Sequence, residues 1–411
     1  MKSSRLIAFE TLYKIFNDNS YSNLALDSVL KKETYDKQFV SALVYGVVER
    51  KLTLDYFIEK YTDKKLKPKI LIILRMGAYQ LLFMDKVPTS AAINESVKLT
   101  KEIKQDYYSG LVNAVLHKID KDRQIPEELS IKYSVPENLI NMWKKQYGED
   151  KVNDFLPCLN SRPPVFAIPN TLYVDADELF YELQCDNIEC EVFGDVVKIN
   201  SSFDLNKSKA FQNGLFYIED LSSYECARVL GAKDGETVLD VCSAPGGKSF
   251  AIALSMNNSG KLYSYDLYEQ RVNLIKKSAE RLGIDIIEAG VNDASVYNES
   301  IQKADRILCD VPCSGFGIIR RKPEIRYKEL DSVKELPNLQ LKILEASAEY
   351  LKNNGRLVYS TCTLNKKENE KVVSAFLDKH NNFSLITEKT IFPSADGGDG
   401  FYYAVMVKNE N

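Results

Sequence analysis

The 411-residue sequence predicts three units: an all-α bundle over 1–125, a small α/β connecting module over 126–210 and a doubly wound α/β sheet over 211–411. Three observations carry this reading. From Ser4 to about Asp122, apolar residues recur at three- and four-residue steps, without the alternation of a strand. After residue 236, short apolar runs alternate with amphipathic stretches, the pattern of a parallel sheet covered on both faces. Between the two, Gln124–Leu129 (QIPEEL) is a polar, proline-containing junction. The length also asks for more than one domain, at roughly 100–200 residues each.

In the first unit, Leu6, Phe9, Leu12, Tyr13 and Phe16 share one helical face, and Phe39, Leu43, Val44 and Val47 share another. Ile70–Phe83 is apolar almost all round, which predicts the central buried helix. Pro88 breaks the chain; Ala91–Leu99 and Gly110–Ile119 supply two more helices. Lys64-Lys65-Leu66-Lys67-Pro68-Lys69 is a basic knot, read first as a solvated loop and second as an RNA contact. His117 reads as a surface or packed residue, since no Cys or acid cluster surrounds it.

In the connecting module, Ile131–Tyr147 predicts a helix with Leu139, Ile140 and Trp143 on one side, and Trp143 as core. Ser161–Pro169 is extended, Ala176–Leu183 helical and Val192–Ile199 a strand. Cys185 and Cys190 read as structural thiols.

In the last unit, strands are predicted at 237–242, 261–266, 286–291, 304–310 and 355–362, with helices near 247–257, 268–282, 337–353 and 366–380. Asp399–Tyr403 and Ala404–Val407 supply a turn and a final strand, with Phe401 and Tyr403 mainly packing. Asn365–Lys371 opens a helix with Glu368 and Glu370 exposed, and Asn369 as a support for the preceding loop.

Ligands of such a sheet sit at the C-terminal ends of its strands, and the unusual residues fall there. The first strand runs into Cys242-Ser243-Ala244-Pro245-Gly246-Gly247-Lys248. The glycines let backbone approach a ligand, and the helix that follows points free N–H groups at it. The second strand ends in Asp266, 19 residues beyond Gly247, where a carboxylate accepts both ribose hydroxyls of a nucleoside. The pair predicts an adenosine-type cofactor, which nicotinamide cofactors and S-adenosylmethionine both satisfy. The fourth and fifth strands end near Asp310-Val311-Pro312-Cys313 and Ser360-Thr361-Cys362, placing two thiols at neighbouring tips. Paired thiols suit chemistry on a pyrimidine. A thiolate that adds to carbon 6 makes carbon 5 able to take a methyl group, and a second group must then assist release. Asp310 is placed to contact the pyrimidine edge; spacing leaves open which thiol attacks.

VLDVCSAPGGK, Asp266 with Arg271 after it, DVPCSGFGIIRRKPEIR and YSTCTLNKKENE together resemble the bacterial ribosomal RNA cytosine-5 methyltransferases of the Sun/Fmu group, over residues 210–411. RMGAYQLLFMDKVPTSAAINESVKL and SGLVNAVLHKI resemble the NusB-like RNA-binding domain, over the first 125 residues or so. With both, the chain resembles the members of that group that act on small-subunit (16S) ribosomal RNA. The resemblance implies S-adenosylmethionine as cofactor, held by Cys242, Ser243, Ala244, Pro245, Gly246, Gly247, Lys248, Asp266, Arg271, Asp293 and Asp310. It implies Cys362 as nucleophile, Cys313 as the cysteine that breaks down the covalent adduct, Asp310 near the reacting centre and Lys248 in the same pocket. Arg320, Arg321 and Arg326 look suited to phosphates. The sequence departs from the group twice. Ile168-Pro169-Asn170 stands where an Arg-Val-Asn segment is usual, and Glu219-Asp220 where a Gln-Asp pair is. Neither touches the methyl-transfer residues; both bear on RNA affinity or site choice.

Composition narrows the partners. Net charge is −4, but residues 1–125 hold 21 Lys and Arg against 15 Asp and Glu, a net of +6, and the rest hold 33 against 43, a net of −10. A basic block on an acidic body fits a module that contacts RNA. The eight cysteines form no C-x-x-C and only His117 and His380 accompany them, so no metal site is expected and the thiols read as free, in a reducing compartment. No apolar run reaches membrane-span length, and MKSSRLIAFE has no secretory pattern, which predicts a cytoplasmic protein, working as a monomer. Two other classes remain open at this stage. One is a non-enzymatic RNA-binding or assembly factor with a relic sheet. The other is a dinucleotide oxidoreductase, which leaves the thiol pair unexplained.

Overall fold

The computed structural model describes residues 2–18, 22–30, 36–62, 65–201 and 203–410. Lys64 of the basic knot lies outside them. The chain forms two compact units, Met1–Asn160 with Ile319–Lys328, and Ser161–Ile318 with Glu329–Asn411. The connecting segment expected over 126–210 is therefore divided. Its helices Leu129–Lys132, Glu137–Tyr147 and Glu149–Phe155 belong to the helical unit, and its strands to the other. Pro136 breaks the single helix expected over Ile131–Tyr147 into two.

The helical unit follows its apolar periodicity. Pro68–Phe83 is the central helix, started by a proline at its first position, and Ile70, Ile73, Leu74 and Ala78 along it are fully buried. Ser3 and Asp36 cap the helices Ser4–Asn17 and Lys37–Glu49 through their side chains. Buried Arg75 pairs with Asp55 through two hydrogen bonds of 2.6 and 2.7 Å. Trp143 is wholly buried, edge-on to Phe155 at 5.3 Å, and is core as expected.

Residues 319–328 are a strap packed into this unit. Arg326, fully buried, donates to the carbonyls of Glu49, Tyr133, Ser134 and Leu159 and to Asn160 Oδ1. Tyr327 donates to the Val48 carbonyl, its ring lies 4.6 Å from the Lys51 ammonium, and Glu324 accepts from the Ser22 amide and hydroxyl. The phosphate role expected for Arg326 is thus corrected: the guanidinium is fully buried, and both of its terminal nitrogens are spent on protein acceptors. Arg320 is buried and Arg321 half-buried in the same unit.

The second unit holds two sheets. Strands β1 (Val165–Pro169), β2 (Cys190–Phe193), β3 (Val196–Ile199) and β4 (Phe216–Glu219) form an antiparallel sheet of order β2-β3-β1-β4. The strand expected over Val192–Ile199 is a hairpin, because Gly194 at φ +64° turns the chain. Asn170 is buried and donates to the Gly214 and Leu282 carbonyls at 2.8 and 2.7 Å, so it joins this sheet to the end of the helix Glu269–Leu282.

The larger sheet contains β5 (Thr237–Asp240), β6 (Lys261–Asp266), β7 (Ile287–Val291), β8 (Ala304–Asp310), β9 (Leu351–Thr361), β10 (Phe383–Ile391) and β11 (Phe401–Lys408) in the order β10-β11-β9-β8-β5-β6-β7. β9-β8-β5-β6-β7 is parallel; β10 and β11 add an antiparallel hairpin. β10 was not expected. The order runs outward both ways from β5 and β8, so the crevice at this switch point opens beyond Asp240 and Asp310. Among the described residues, no helix is long and apolar enough to cross a membrane, and no group of three or more His, Cys, Asp or Glu is placed to hold a metal.

Candidate active site

Beyond β5 the chain turns through Ser243–Gly246 into the helix Gly247–Ser255. Ser243 anchors the turn to the tip of β6 through its amide and hydroxyl, both on the Tyr265 carbonyl. Gly246 stands at φ +114°, a conformation closed to residues with a Cβ. Gly247 is required by crowding: a Cβ there would lie 1.4 Å from Glu219 Oε2. Asp266 is buried at the end of β6, accepts from the Tyr268 amide and pairs with Arg271 at 3.3 Å. Arg271 also donates to the Ala244 carbonyl, tying the glycine turn to the acid. Asp293 is exposed and turned onto its own loop; hydrogen bonds from Ser295 hold its carboxyl below the usual range.

Asp240 ends β5 fully buried. Its Oδ2 accepts from Ser249, while Oδ1 has no hydrogen-bond partner. Burial pushes this acid up to about 7, against the Ser249 hydrogen bond. The donor set fits an adenosyl sulfonium cofactor. A glycine turn leading into a helix N-terminus, a buried ribose-type acid at Asp266 and an unsatisfied buried carboxyl oxygen on Asp240 share the ends of β5 and β6.

Beyond β8 lie the side chains expected to react. Asp310 Oδ2 pairs with the Lys248 ammonium at 2.9 Å, and Oδ1 accepts from Ser360 at 2.8 Å. Lys248 is nearly buried, donates to Ser223 at 2.5 Å and lies 5.2 Å from the centre of the Phe401 ring. Burial alone would lower its pKa, but Asp310, Glu219 and Cys226 outweigh that and raise it, so it stays an ammonium. Phe401 and Tyr403 are buried, as expected, with Phe401 also forming one wall for Lys248.

The sulfurs of Cys313 and Cys362 are 3.2 Å apart. The pairing of Asp310 with Ser360 across β8 and β9 brings the two tips together, and the Gly317 amide donates to the Cys362 carbonyl to close the loop. Cys313 is held protonated, first by its hydrogen bond to Cys362 and then by burial. Asn369 accepts from Thr361 Oγ1 and donates to the Thr363 carbonyl, so it supports both neighbours of Cys362, as expected. Glu368 corrects the sequence reading. It is wholly buried and accepts four hydrogen bonds, two of them from Ser314. A charged residue inside NKKENE looks solvated; its partners Ser314 and Gln340 are too distant in sequence to signal otherwise.

The structure thus brings together Cys242–Lys248, Asp266 and Arg271 on one side, and Lys248, Asp310, Cys313 and Cys362 on the other. All eight cysteines are free thiols.

The 16S rRNA methyltransferase RsmB/F family model matches residues 227–407, and the NusB family model matches residues 2–121. Over 443 aligned positions the chain is 37% identical to the probable ribosomal RNA small subunit methyltransferase B of Bacillus subtilis (strain 168), covering 99% of each. The chain belongs to the ribosomal RNA small subunit methyltransferase B family. It is also 31% identical to the probable ribosomal RNA small subunit methyltransferase B of Synechocystis sp. (strain ATCC 27184 / PCC 6803 / Kazusa), over 99% of this chain and 100% of that one. The crystal structure of PH0851 has the same fold, with a TM-score of 0.83, 28% identity and 99% of each chain covered. The fold is that of S-adenosylmethionine-dependent methyltransferases, with a NusB helical domain before it. Family membership removes the oxidoreductase reading.

Proposed function

We propose that the protein methylates carbon 5 of a cytosine in small-subunit ribosomal RNA through a covalent cysteine adduct. The observation that carries the reading is the thiol pair, 3.2 Å apart, beside the Lys248–Asp310 ion pair. Asp310 would accept a hydrogen bond from the cytosine 4-amino group, which uracil lacks. Cys362, its proton passed to solvent, would add to carbon 6 as the thiolate: the sulfur–carbon bond forms, and the electron pair of the 5,6 double bond moves onto the ring. Lys248 would offset the negative charge that builds there. S-adenosylmethionine, held by Ser243–Lys248 and Asp266 with Arg271 and Asp293 at the rim, would supply an electrophilic methyl group to carbon 5.

Release follows from the thiol pair. Once Cys362 is bonded to carbon, the hydrogen bond that most strongly keeps Cys313 protonated is gone. Burial and the Glu368 and Asp310 carboxylates still act to raise its pKa; Cys313 would pass its proton to solvent and, as the thiolate, take the carbon-5 proton. The freed C–H pair restores the 5,6 double bond and expels Cys362 as a thiolate. The test is mass spectrometry of the Cys313→Ser protein mixed with S-adenosylmethionine and small-subunit RNA. The expected result is an RNA-sized adduct that disappears when Cys362 is also replaced. Product without adduct would assign the attack to another group; neither adduct nor product would favour an RNA-binding assembly role.

A further inference from the structure

Glu368 has no part in the chemistry just described, yet its buried carboxylate accepts four hydrogen bonds. Its Oε1 accepts from Ser314 Oγ at 2.6 Å and Asn365 Nδ2 at 2.9 Å, and its Oε2 from the Ser314 amide at 2.8 Å and Gln340 Nε2 at 3.0 Å. These donors come from the turn after Cys313, the loop after Cys362 and the helix Leu336–Glu349. Ser314 Oγ also meets Thr363 Oγ1 at 2.6 Å, and Gln340 Nε2 also reaches the Pro312 carbonyl at 3.0 Å. Both residues that flank Cys313 are therefore held by one network. A buried carboxylate among neutral donors is costly to desolvate and persists only when its lone pairs are filled. Here they are filled by groups next to the second thiol.

We propose that Glu368 is the positioning residue for Cys313, holding the Pro312–Ser314 turn so that the Cys313 sulfur stays against Cys362 and within reach of the carbon-5 proton. The inference rests on the proposed two-cysteine reading and deepens it. Glutamine cannot replace Glu368 without conflict. Each carboxylate oxygen faces two donors, so whichever position became the –NH2 group would set a donor against donors. The turn must then shift, and a displacement of ~1 Å at a reacting group costs about 100-fold in rate. The loss should fall on release, because Cys362 keeps its own support from Asn369.

The test compares product and covalent RNA adduct in single-turnover reactions of wild type, Cys313→Ser, Glu368→Gln and Ser314→Ala. Glu368→Gln is expected to form product about 100-fold more slowly and to accumulate a Cys362-dependent adduct although Cys313 is present. Ser314→Ala loses one of the four bonds and keeps the amide; it should shift the same ratio by less, and it serves if Glu368→Gln does not fold. A merely structural role would lower adduct and product together, with their ratio unchanged, and would overturn the proposal. So would wild-type turnover in both variants. If Cys313→Ser itself traps no adduct, the underlying chemistry fails and the positioning role with it. If Cys313→Ser traps adduct and the other two do not, the positioning role alone fails.

Discussion

Glu219 and Gly247 compete for one small volume. The Glu219 carboxylate lies where an alanine methyl at 247 would go, and its hydrogen bond to Ser223 and the field of Lys248 keep it there. Gly247→Ala must displace it from both. The expected cost is about tenfold in S-adenosylmethionine affinity, or ~1.4 kcal/mol, measured by calorimetric titration. Glu219→Ala in the same chain should restore most of that loss, since it removes the obstacle rather than the turn. Asp240 supports a second prediction. Burial raises its pKa to about 7, against ~3.9 in an unfolded chain. Between those values the folded protein holds a proton that the unfolded chain has lost. Stability therefore falls as pH rises through that window and levels off above it, by up to about 4 kcal/mol. Asp240→Asn should flatten this part of the profile, and urea midpoints at about pH 5 and about pH 8 for both proteins would show it. A wild-type profile left unchanged by the substitution would remove Asp240 as its source.

Elements were legible where one local cause made them. β5, β6 and β8 show in the sequence because each is a short strand-like run closed by an acid, and the proximity of Cys313 and Cys362 followed from their place at neighbouring strand tips. β10 was not legible because most of its residues face outward; Ser384–Lys389 are all exposed, and its partner β11 supplies the apolar face. β9 was expected from residue 355 but begins at 351, since Asn353-Asn354-Gly355 reads as a turn and Asn354 does adopt φ +60°. The helix expected from 366 begins at Glu370. Residues 365–369 are used as a turn that turns Glu368 and Asn369 toward the thiol loops, and no helical periodicity signals that. Arg326 failed for the same kind of reason. A basic run after a catalytic loop suggests phosphates, but its acceptors are carbonyls of residues 49, 133, 134 and 159. Buried polar networks between distant segments leave no local pattern.

At the scale of the whole chain, the two units are interleaved in sequence. The helical unit is incomplete at residue 160, because the strap 319–328 supplies Arg326, Tyr327 and Glu324 to it. A fragment ending at Asn160 keeps the described α-helices of this unit and loses these three anchors together with the short 3-10 helix Pro323–Tyr327. The carbonyls that Arg326 satisfies must then find water, and the Tyr327 ring leaves Lys51. Unmet buried acceptors cost about 1–3 kcal/mol each, less where solvent enters, so a net loss of about 3 kcal/mol is expected. The lone tryptophan makes this measurable without interference: Trp143 is buried in the helical unit, and no other tryptophan exists in the chain. Its fluorescence should report a lower urea midpoint for fragment 1–160 than for the full protein. Arg326→Leu in the full chain, which keeps most of the packing volume and removes the donors, should move the same midpoint in the same direction. A peptide of residues 319–328 added in excess should raise the fragment's midpoint, by the linkage that any ligand of the folded state obeys. Equal midpoints for fragment and full chain would mean that the strap merely rests on the helical unit. A lower midpoint in the fragment that the peptide restores would mean that a segment following the second cysteine is part of the NusB-type domain's own core.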